Sequence, residues 1–550
     1  MKTEKQAVSR RGFLKGVLAT AGTAALAGSL PGCANSSSPD VDNLASSGSA
    51  PQSKYSGPLF EIGELAAPSE TITADVVVAG GGGTGLGAAI QAAQLGLSVV
   101  VVDVGKAYGG SFVNTEGMSG VKSSFLEEMD PNPEVEEVVS ACMDYHHWVP
   151  NHELYMNFFN KSGETIDWCQ DLGAKFSMAA KTPTSVSYVH IYDHSEDQEG
   201  DLPGQVFMNH LGEAADALGV TPYFETAARK VIMEDDRVAG LLAEKSDGSV
   251  LQIDAPVVII ATGGYSTNEE MLRYLSDIIQ NEEIFSLGAE VRDGSGFKMA
   301  LDAGGWMAPS PGTVQWCGPV IIGCGWCTDG YAAAVQPTLW VNQDAERFCP
   351  EDLWMNNFAA AGIAQARQLR TYTIMSEADL QYFEENGPYV NVFTWKQVGT
   401  PLPKVREQFE SLPNVHRCET IEEVAEALDL DPATLSTTLT EYNQSCDQGN
   451  DPIFGKTKEH LRKLEGPFWA AQISCGYYCT DGGIYISPDF EVLNHQGEVI
   501  PGLYAGGKDA GGLFGDSYDV LICPGTGAAF AINSGRLAAE SAKQYIEGIA

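Results

Sequence analysis

A short apolar run, Ala74-Asp75-Val76-Val77-Val78-Ala79, is followed at once by Gly80-x-Gly82-x-x-Gly85. The small residues from Leu86 to Leu95 then read as a helix, and Gly96 stands where a helix C-cap belongs. A second apolar strand, Ser98–Val102, ends on Asp103. Strand, glycine turn, helix, strand and acid within about 30 residues constrain the chain more than any other feature. The first glycine makes the turn, the second lets the backbone approach a pyrophosphate, and the third lets helix and strand pack closely. The helix N-terminus supplies N–H donors and a positive dipole end. Asp103 is placed to bond a ribose hydroxyl. The pattern predicts an α/β fold with a dinucleotide site on Gly80, Gly82, Gly85 and Asp103.

At 550 residues the chain is too long for one ordinary core, so two or three domains are expected. Gly counts 60, well above the usual ~7%, as in proteins with many tight backbone turns. Lys and Arg total 32 against 73 Asp and Glu, a net charge of −41. Such a surface repels a phosphate backbone, which excludes nucleic acid as a partner and anionic lipid as an electrostatic target.

Residues 1–32 read as an address rather than as fold. Ser9-Arg10-Arg11-Gly12-Phe13-Leu14-Lys15 matches a twin-arginine export signal. The mild Ala/Gly-rich stretch from Val17 to Leu30 is too short to span a bilayer, which takes about 20 strongly apolar residues. Leu30-Pro31-Gly32-Cys33 is similar to a lipoprotein box, with Cys33 as the lipidated N-terminus; a plain cleaved signal with a chance cysteine is the alternative. Residues 33–69 read as a flexible tether. The expected location is outside the cytoplasm, anchored to the membrane by lipid. Twin-arginine export moves folded proteins, often with a cofactor already inserted. The remaining cysteines are irregularly spaced and do not form the framework of a small secreted domain. No C-x-x-C-H occurs, so no haem is covalently attached.

Further glycine-rich segments follow. Tyr108-Gly109-Gly110-Ser111 and Glu116-Gly117-Met118-Ser119-Gly120 lie just beyond Asp103. The strand Val257–Ala261 leads into Thr262-Gly263-Gly264-Tyr265. Asp293-Gly294-x-Gly296 precedes Ala300, and Ile500-Pro501-Gly502-Leu503-Tyr504-Ala505 precedes Gly506-Gly507 and Gly511-Gly512. Leu339-Trp340-Val341-Asn342 is followed by Arg347-Phe348 and Glu351, and a last helix begins after Gly525-x-Gly527. Together these motifs resemble the fumarate reductase/flavocytochrome c family of FAD oxidoreductases, which includes the 3-ketosteroid dehydrogenases. The resemblance covers residues 73–545 and implies a Rossmann-like FAD domain, discontinuous at 70–300 and 478–550, with an inserted α+β cap at 301–477. It implies FAD contacts from Gly80, Gly82, Gly85, Asp103, Gly110, Ser111, Gly117, Gly120, Ala261, Thr262, Gly263, Asp293, Gly506, Gly507, Gly525 and Gly527. The flavin is expected to be non-covalent, because 109–118 contains no His. Within the cap, Thr420-x-x-Glu423 reads as a capping box and Asp431-Pro432 as a helix start. No internal repeat is visible.

The resemblance also exposes a departure. The family's fumarate reductases hold a dicarboxylate with two His and two Arg. The matching positions here are Cys317, Cys479, the neighbourhood of Met355, and Tyr518–Cys523, which contains no Arg. A dianion there would lose its paired cations, and an unpaired buried carboxylate costs several kcal/mol. The steroid enzymes' Y-P-G-x-G loop reads Cys523-Pro524-Gly525-Thr526-Gly527. Trp316, Trp326, Tyr331, Trp354, Tyr477, Tyr478 and Tyr518 are the aromatics expected near the flavin, each with ordinary packing as the competing role. Tyr518 is the first candidate for the proton donor; Tyr478, Asp481 and Arg347 follow, with a structural role competing at Arg347. Cys324 and Cys327 form a C-x-x-C that is either a redox pair or a pair of packed thiols, and no set of ligands completes a metal site.

The sequence therefore predicts an exported FAD enzyme that adds hydride and proton to an activated C=C bond of a small organic acceptor. Electrons come from a separate membrane or cytochrome donor, and the oligomeric state is open. A dehydrogenase of the 3-ketosteroid Δ1 type and a ligand-binding lipoprotein with structural FAD are the alternatives.

Overall fold

Strand β1 (Val76–Ala79), helix α1 (Gly83–Gln94) and strand β2 (Val99–Val102) form the expected nucleotide-binding unit. The computed structural model describes residues 59–549, except 128, 130, 131, 182, 183, 289, 290, 326, 327, 393–395 and 519. The export signal, Cys33, most of the tether, Trp326 and Cys327 lie outside the described residues. Helix α1 starts at Gly83, three positions before the small-residue run suggests, because Gly82 takes the extended N-cap conformation and puts Gly83 and Gly85 in the first turn. Gly96 ends it with φ +81°, a conformation in which a side chain is strained.

The central sheet has six strands in the order Glu491–Leu493, Val499–Ala505, Val257–Ile260, β1, β2, Thr221–Tyr223. Strand β3 (Val257–Ile260) lies parallel to β1, with Val258 beside Val77. On its other edge it pairs with Val499–Ala505, Leu503 beside Val258. The middle strands are buried on both faces, as the β-branched run in β1 and β2 requires. The C-terminal segment thus completes a sheet begun more than 400 residues earlier, which is the discontinuous Rossmann-like domain. A four-stranded sheet (Glu70–Thr73, Val250–Asp254, Arg237–Lys245, Thr226–Glu234) and a three-stranded one (Gly117–Gly120, Tyr188–Tyr192, Phe176–Ala180) flank it.

The cap is organised by one long strand, β4 (Phe468–Thr480). Its first half pairs with Thr371–Ser376 and Val415–Cys418, and its second half with Ile284–Ser286 and Val314–Val320. It runs unbroken through residues 477 and 478, and Ile284–Ser286 adds a strand to it from before residue 301. Trp340, Trp354, Trp469, Phe383 and Phe409 share the core behind it. Asp431 caps the helix Pro432–Gln448 as expected, accepting the Thr434 N–H at 2.7 Å. At Thr420 only half of the capping box forms: Thr420 accepts from Glu423, but the Glu423 carboxylate turns to the Glu419 N–H at 2.7 Å.

Strand β5 (Val499–Ala505) leads back to the FAD domain, and the chain closes with helix α2 (Thr526–Ile549). Helix α2 lies along α1 because Gly87 and Gly535 present no side chain at the crossing; a Cβ on Gly535 would stand 2.7 Å from the Ala88 nitrogen. Arg536 then ties α2 to Gln91 and Thr165 at 2.9 and 2.8 Å.

Candidate active site

Gly80 turns the chain out of β1 with φ +113° and donates its N–H to Val102 at 2.8 Å. A Cβ on Gly85 would collide with the Gly80 carbonyl oxygen, so helix and turn meet only because residue 85 lacks one. The N-cap, Gly82, brings no capping side chain and the first turn of α1 has no acid. Its leading N–H groups therefore form an anion cradle. Asp103 accepts the Gly81 and Gly105 N–H groups at 2.6 Å each. A carboxylate accepts about four hydrogen bonds, so a ribose hydroxyl still has lone pairs to meet. The second glycine loop packs onto the first: the Gly109 N–H donates to Gly81 at 3.0 Å, and Gly110, at φ +52°, begins the turn that carries Ser111. The bare α1 terminus, two touching glycine loops and an acid at the end of β2 fit a dinucleotide such as FAD.

Some of the other residues expected at the flavin pack against β1 and α1: a Cβ on Gly80 would collide with the Ala261 carbonyl oxygen, and one on Gly506 or Gly507 with Thr84. The Ala261 N–H donates to Ala79 at 2.8 Å, and Gly506 to Ile260 at 3.1 Å. Gly507 donates to Ser534 Oγ at 2.8 Å. Asp509, wholly buried, accepts the Gly263 N–H at 2.9 Å, the Gly264 N–H at 3.1 Å and the Thr262 hydroxyl at 3.0 Å. Burial pushes the Asp509 carboxyl up, and those three donors oppose the shift. Asp293 spends a carboxylate oxygen on the Ser295 N–H at 3.0 Å, shaping its own turn. Gly117 and Gly120 lie at the ends of a buried strand whose Ser119 N–H donates to Gly525 at 3.1 Å. Below it His190 contacts Ser123 and the Met118 carbonyl; burial pushes it down to about 4, so it is neutral.

Tyr518 stands where α2 begins. The Gly527 N–H donates to its hydroxyl oxygen at 2.9 Å, and its ring packs against Phe514 at 5.2 Å between centroids. The Lys508 ammonium lies 5.3 Å from the Tyr518 ring centroid and 4.9 Å from that of Phe514, and it is ion-paired with Asp481. Burial works against the Lys508 charge, but Asp481 and Cys479 outweigh it and the pKa is raised. Cys479 donates to Gln315 Oε1 at 3.0 Å. Burial, with a smaller push from Asp481, takes its thiol up to about 11 against the pull of Lys508. Arg292 reaches Ser266 Oγ at 3.4 Å and the Tyr478 carbonyl at 3.5 Å. Of the four catalytic candidates, Tyr518 and Asp481 are thus brought together around Lys508. The half-buried Tyr478 side chain packs on the cap core instead.

Arg347 is taken up elsewhere. Its guanidinium makes two bonds of 2.8 Å to Glu351 and one of 2.9 Å to Asp451, lies over Phe454 and Tyr442, and is almost fully buried. Two carboxylates engage its guanidinium, which fits the structural role set against catalysis for it. Cys317, Trp316 and Tyr331 are core side chains, and Tyr477 bonds the Ser266 carbonyl at 2.7 Å. Cys324 contacts Thr328 Oγ1 at 3.2 Å, and burial pushes its thiol up. Among the described residues no group of His, Cys, Asp and Glu is arranged to hold a metal. Sequence reasoning missed Lys508 and Arg292. For Lys508 a signal was present: a charge set inside a glycine-rich segment, directly after Gly507.

Comparison with known proteins agrees with this geometry. Residues 75–519 match the FAD binding domain family. The chain is 29% identical over 492 residues to a vinyl phenol reductase of Lactiplantibacillus plantarum, covering 86% of this chain and 96% of that one. It is 25% identical to a probable fumarate reductase, Ifc3, of Shewanella frigidimarina, covering 87% and 76%. A flavocytochrome c3 fumarate reductase in its open conformation superposes with a TM-score of 0.67 at 23% identity, over 87% of this chain and 79% of that one. The cradle, the cap and the match across most of the chain lead to one statement: this chain belongs to the FAD binding domain family and is an FAD-dependent oxidoreductase.

Proposed function

We propose that this chain is an exported reductase that saturates the activated C=C bond of a small, largely apolar acceptor, an aryl alkene of the vinyl phenol type rather than a dicarboxylate. The observation that carries this reading is the Tyr518 hydroxyl, held by the Gly527 N–H and flanked by the Lys508–Asp481 pair. FAD, held by the glycine loops without a covalent link, supplies the hydride when bound. Tyr518 gives a proton to the neighbouring carbon. The oxygen left behind meets the Gly527 N–H and the N-terminus of a 24-residue helix. Half-buried Leu353, Met355, Tyr478, Val520 and Leu521 pack against the cap core and offer an apolar wall for the acceptor. Beside Tyr518 the Lys508 charge is already balanced by Asp481, which speaks against a dianion at that ammonium. Extended similarity to a vinyl phenol reductase supports the aryl alkene. Electrons reach the enzyme from a separate membrane or cytochrome partner.

The test is anaerobic. Enzyme reduced with methyl viologen is mixed with 4-vinylphenol or with fumarate, and flavin reoxidation is followed. 4-Vinylphenol should reoxidise it and fumarate should not. Tyr518→Phe should slow the step about 10²–10⁴-fold, the usual worth of a positioned acid, with flavin content unchanged. Rapid fumarate turnover, or an unaffected Tyr518→Phe enzyme, would overturn the reading.

A further inference from the structure

The Lys508 ammonium stands over the Tyr518 ring, 5.3 Å from its centroid, and none of the sequence motifs gave it a task. It is largely buried, which an ammonium tolerates only when paired. Its partner Asp481 directly follows β4, whereas Lys508 lies beyond β5 and Tyr518 lies just ahead of α2. Three separate segments therefore converge here. A Cβ on Gly527 would stand 3.2 Å from both the Lys508 nitrogen and the Tyr518 hydroxyl oxygen, so both groups border the same small space at the start of α2. Lys508 also lies over the faces of Phe514 and Tyr518, with the ring quadrupoles turned toward its charge. The ammonium faces the Tyr518 ring, so its charge acts on the phenol through its field.

We propose that Lys508, fixed by Asp481, is a positioning residue for proton transfer by Tyr518: its charge stabilises the phenolate that remains once the Tyr518 proton has gone to the acceptor. The proposal rests on the reading of Tyr518 as the acid. In the step, the Tyr518 O–H bond breaks, a C–H bond forms on the acceptor carbon next to the one that receives hydride, and the phenolate is reprotonated by water between turnovers. Among the described residues, the charged and titratable groups around the pair include Asp481 and Cys479 from the β4 side, Arg292 behind Cys479, and Tyr145 and His146, which contact the Tyr518 carbonyl and the Phe514 ring. Cys479 is a neutral thiol at physiological pH. Asp481 and Lys508 balance each other, so replacing Lys508 alone leaves a buried carboxylate beside Tyr518.

Two measurements test the proposal, one of them independent of any acceptor. In the first, ionisation of tyrosine is followed by ultraviolet difference absorbance in the flavin-loaded protein, with Tyr518→Phe subtracted to isolate residue 518. Lys508→Met should move that ionisation upward by about 1–2 pH units, and Lys508→Arg should restore it. The pair Lys508→Met with Asp481→Asn removes both charges and serves as the variant that strands no carboxylate. In the second, single-turnover reoxidation by 4-vinylphenol is measured across pH. Lys508→Met should slow it about 10- to 100-fold, the range a nearby charge is worth at the effective dielectric of a protein interior. Combined with Tyr518→Phe, the same change should have almost no further effect, because Lys508 acts through Tyr518. An unmoved ionisation of Tyr518, or an equal slowing by Lys508→Met with and without Tyr518, would overturn the proposal. Failure of wild-type enzyme to accept 4-vinylphenol would instead count against the substrate, and the ultraviolet titration would still decide the role of Lys508.

Discussion

Gly85 shows how much a missing side chain decides at a single position. A methyl group there would run into the Gly80 carbonyl oxygen and approach Val78 Cγ1 to 3.4 Å, forcing α1 away from the turn that cradles the pyrophosphate. Overpacking of this kind costs about 1–3 kcal/mol, roughly 5- to 150-fold in affinity if it falls on flavin binding. Gly85→Ala should therefore lower the flavin released per chain on denaturation, measured by fluorescence, whereas Gly63→Ala, with nothing within 4 Å of its Cβ, should leave it unchanged. Full flavin content in Gly85→Ala would contradict this account of the turn. Gly85 was legible in the sequence because its requirement is local: it answers to Gly80, five residues earlier. Lys508 was not, because its meaning depends on Asp481 and Tyr518, which approach it from other segments. Asp103 was half legible. Its place after β2 marked it for the ribose, but its hold on Gly81 and Gly105 shows that it also builds the turn.

Among the elements, β4 does the most to connect fold and site. Its first half lies in the cap and its last residues reach the FAD domain, where Thr480 Oγ1 accepts the Tyr265 N–H at 3.3 Å. The Arg-Phe motif braces the same cap from the other side. Its pattern was legible, but Asp451 and Lys456, about a hundred residues downstream, carry no sequence sign that they close on it. Glu351 and Lys456 are fully buried, and Lys456 bonds the Pro337 and Thr338 carbonyls at 2.7 and 2.8 Å. Arg347→Met would leave Glu351 and Asp451 short of their cation, and breaking a buried pair from one side costs about 3–5 kcal/mol. The melting temperature should fall accordingly, while flavin content and reoxidation rate per folded chain stay near wild type. The acid limb should change too. Burial would raise the Asp451 carboxyl, but the Arg347 bonds outweigh it and hold it below the usual range. Its contribution is thus present above the ordinary carboxylate pKa and is lost as pH falls through the lowered value. Denaturant titrations at stepwise lower pH should show a shallower loss of stability in Arg347→Met than in wild type. Equal acid slopes, or loss of catalysis without loss of stability, would mean that Arg347 does something other than brace the cap.

At the scale of the whole molecule, topology bears on export. The central sheet needs β1 and β2, then β3, then β5 from the far end of the chain, and α2 packs on α1 only after that. The flavin cradle is therefore incomplete until β5 and α2 have been made, since Gly506, Gly507, Gly525 and Gly527 lie at or beyond them. A protein that must be whole before it can bind its cofactor suits a route that carries folded cargo, which is how Arg10 and Arg11 are read. We propose on this basis that FAD is loaded in the cytoplasm and that Cys33 then holds the mature protein on the membrane. Replacing Arg10 and Arg11 with Lys should trap precursor in the cytoplasm, and the trapped precursor should already carry flavin and respond to reduced methyl viologen. Cys33→Ala should release mature protein from the membrane fraction with its flavin intact. Fractionation with immunodetection, paired with flavin fluorescence of each fraction, reads both outcomes. A trapped precursor without flavin would place loading after export, and the argument from sheet order would then fail even if the address is right. Unchanged fractionation of Cys33→Ala would remove the lipid anchor and leave a soluble exported enzyme.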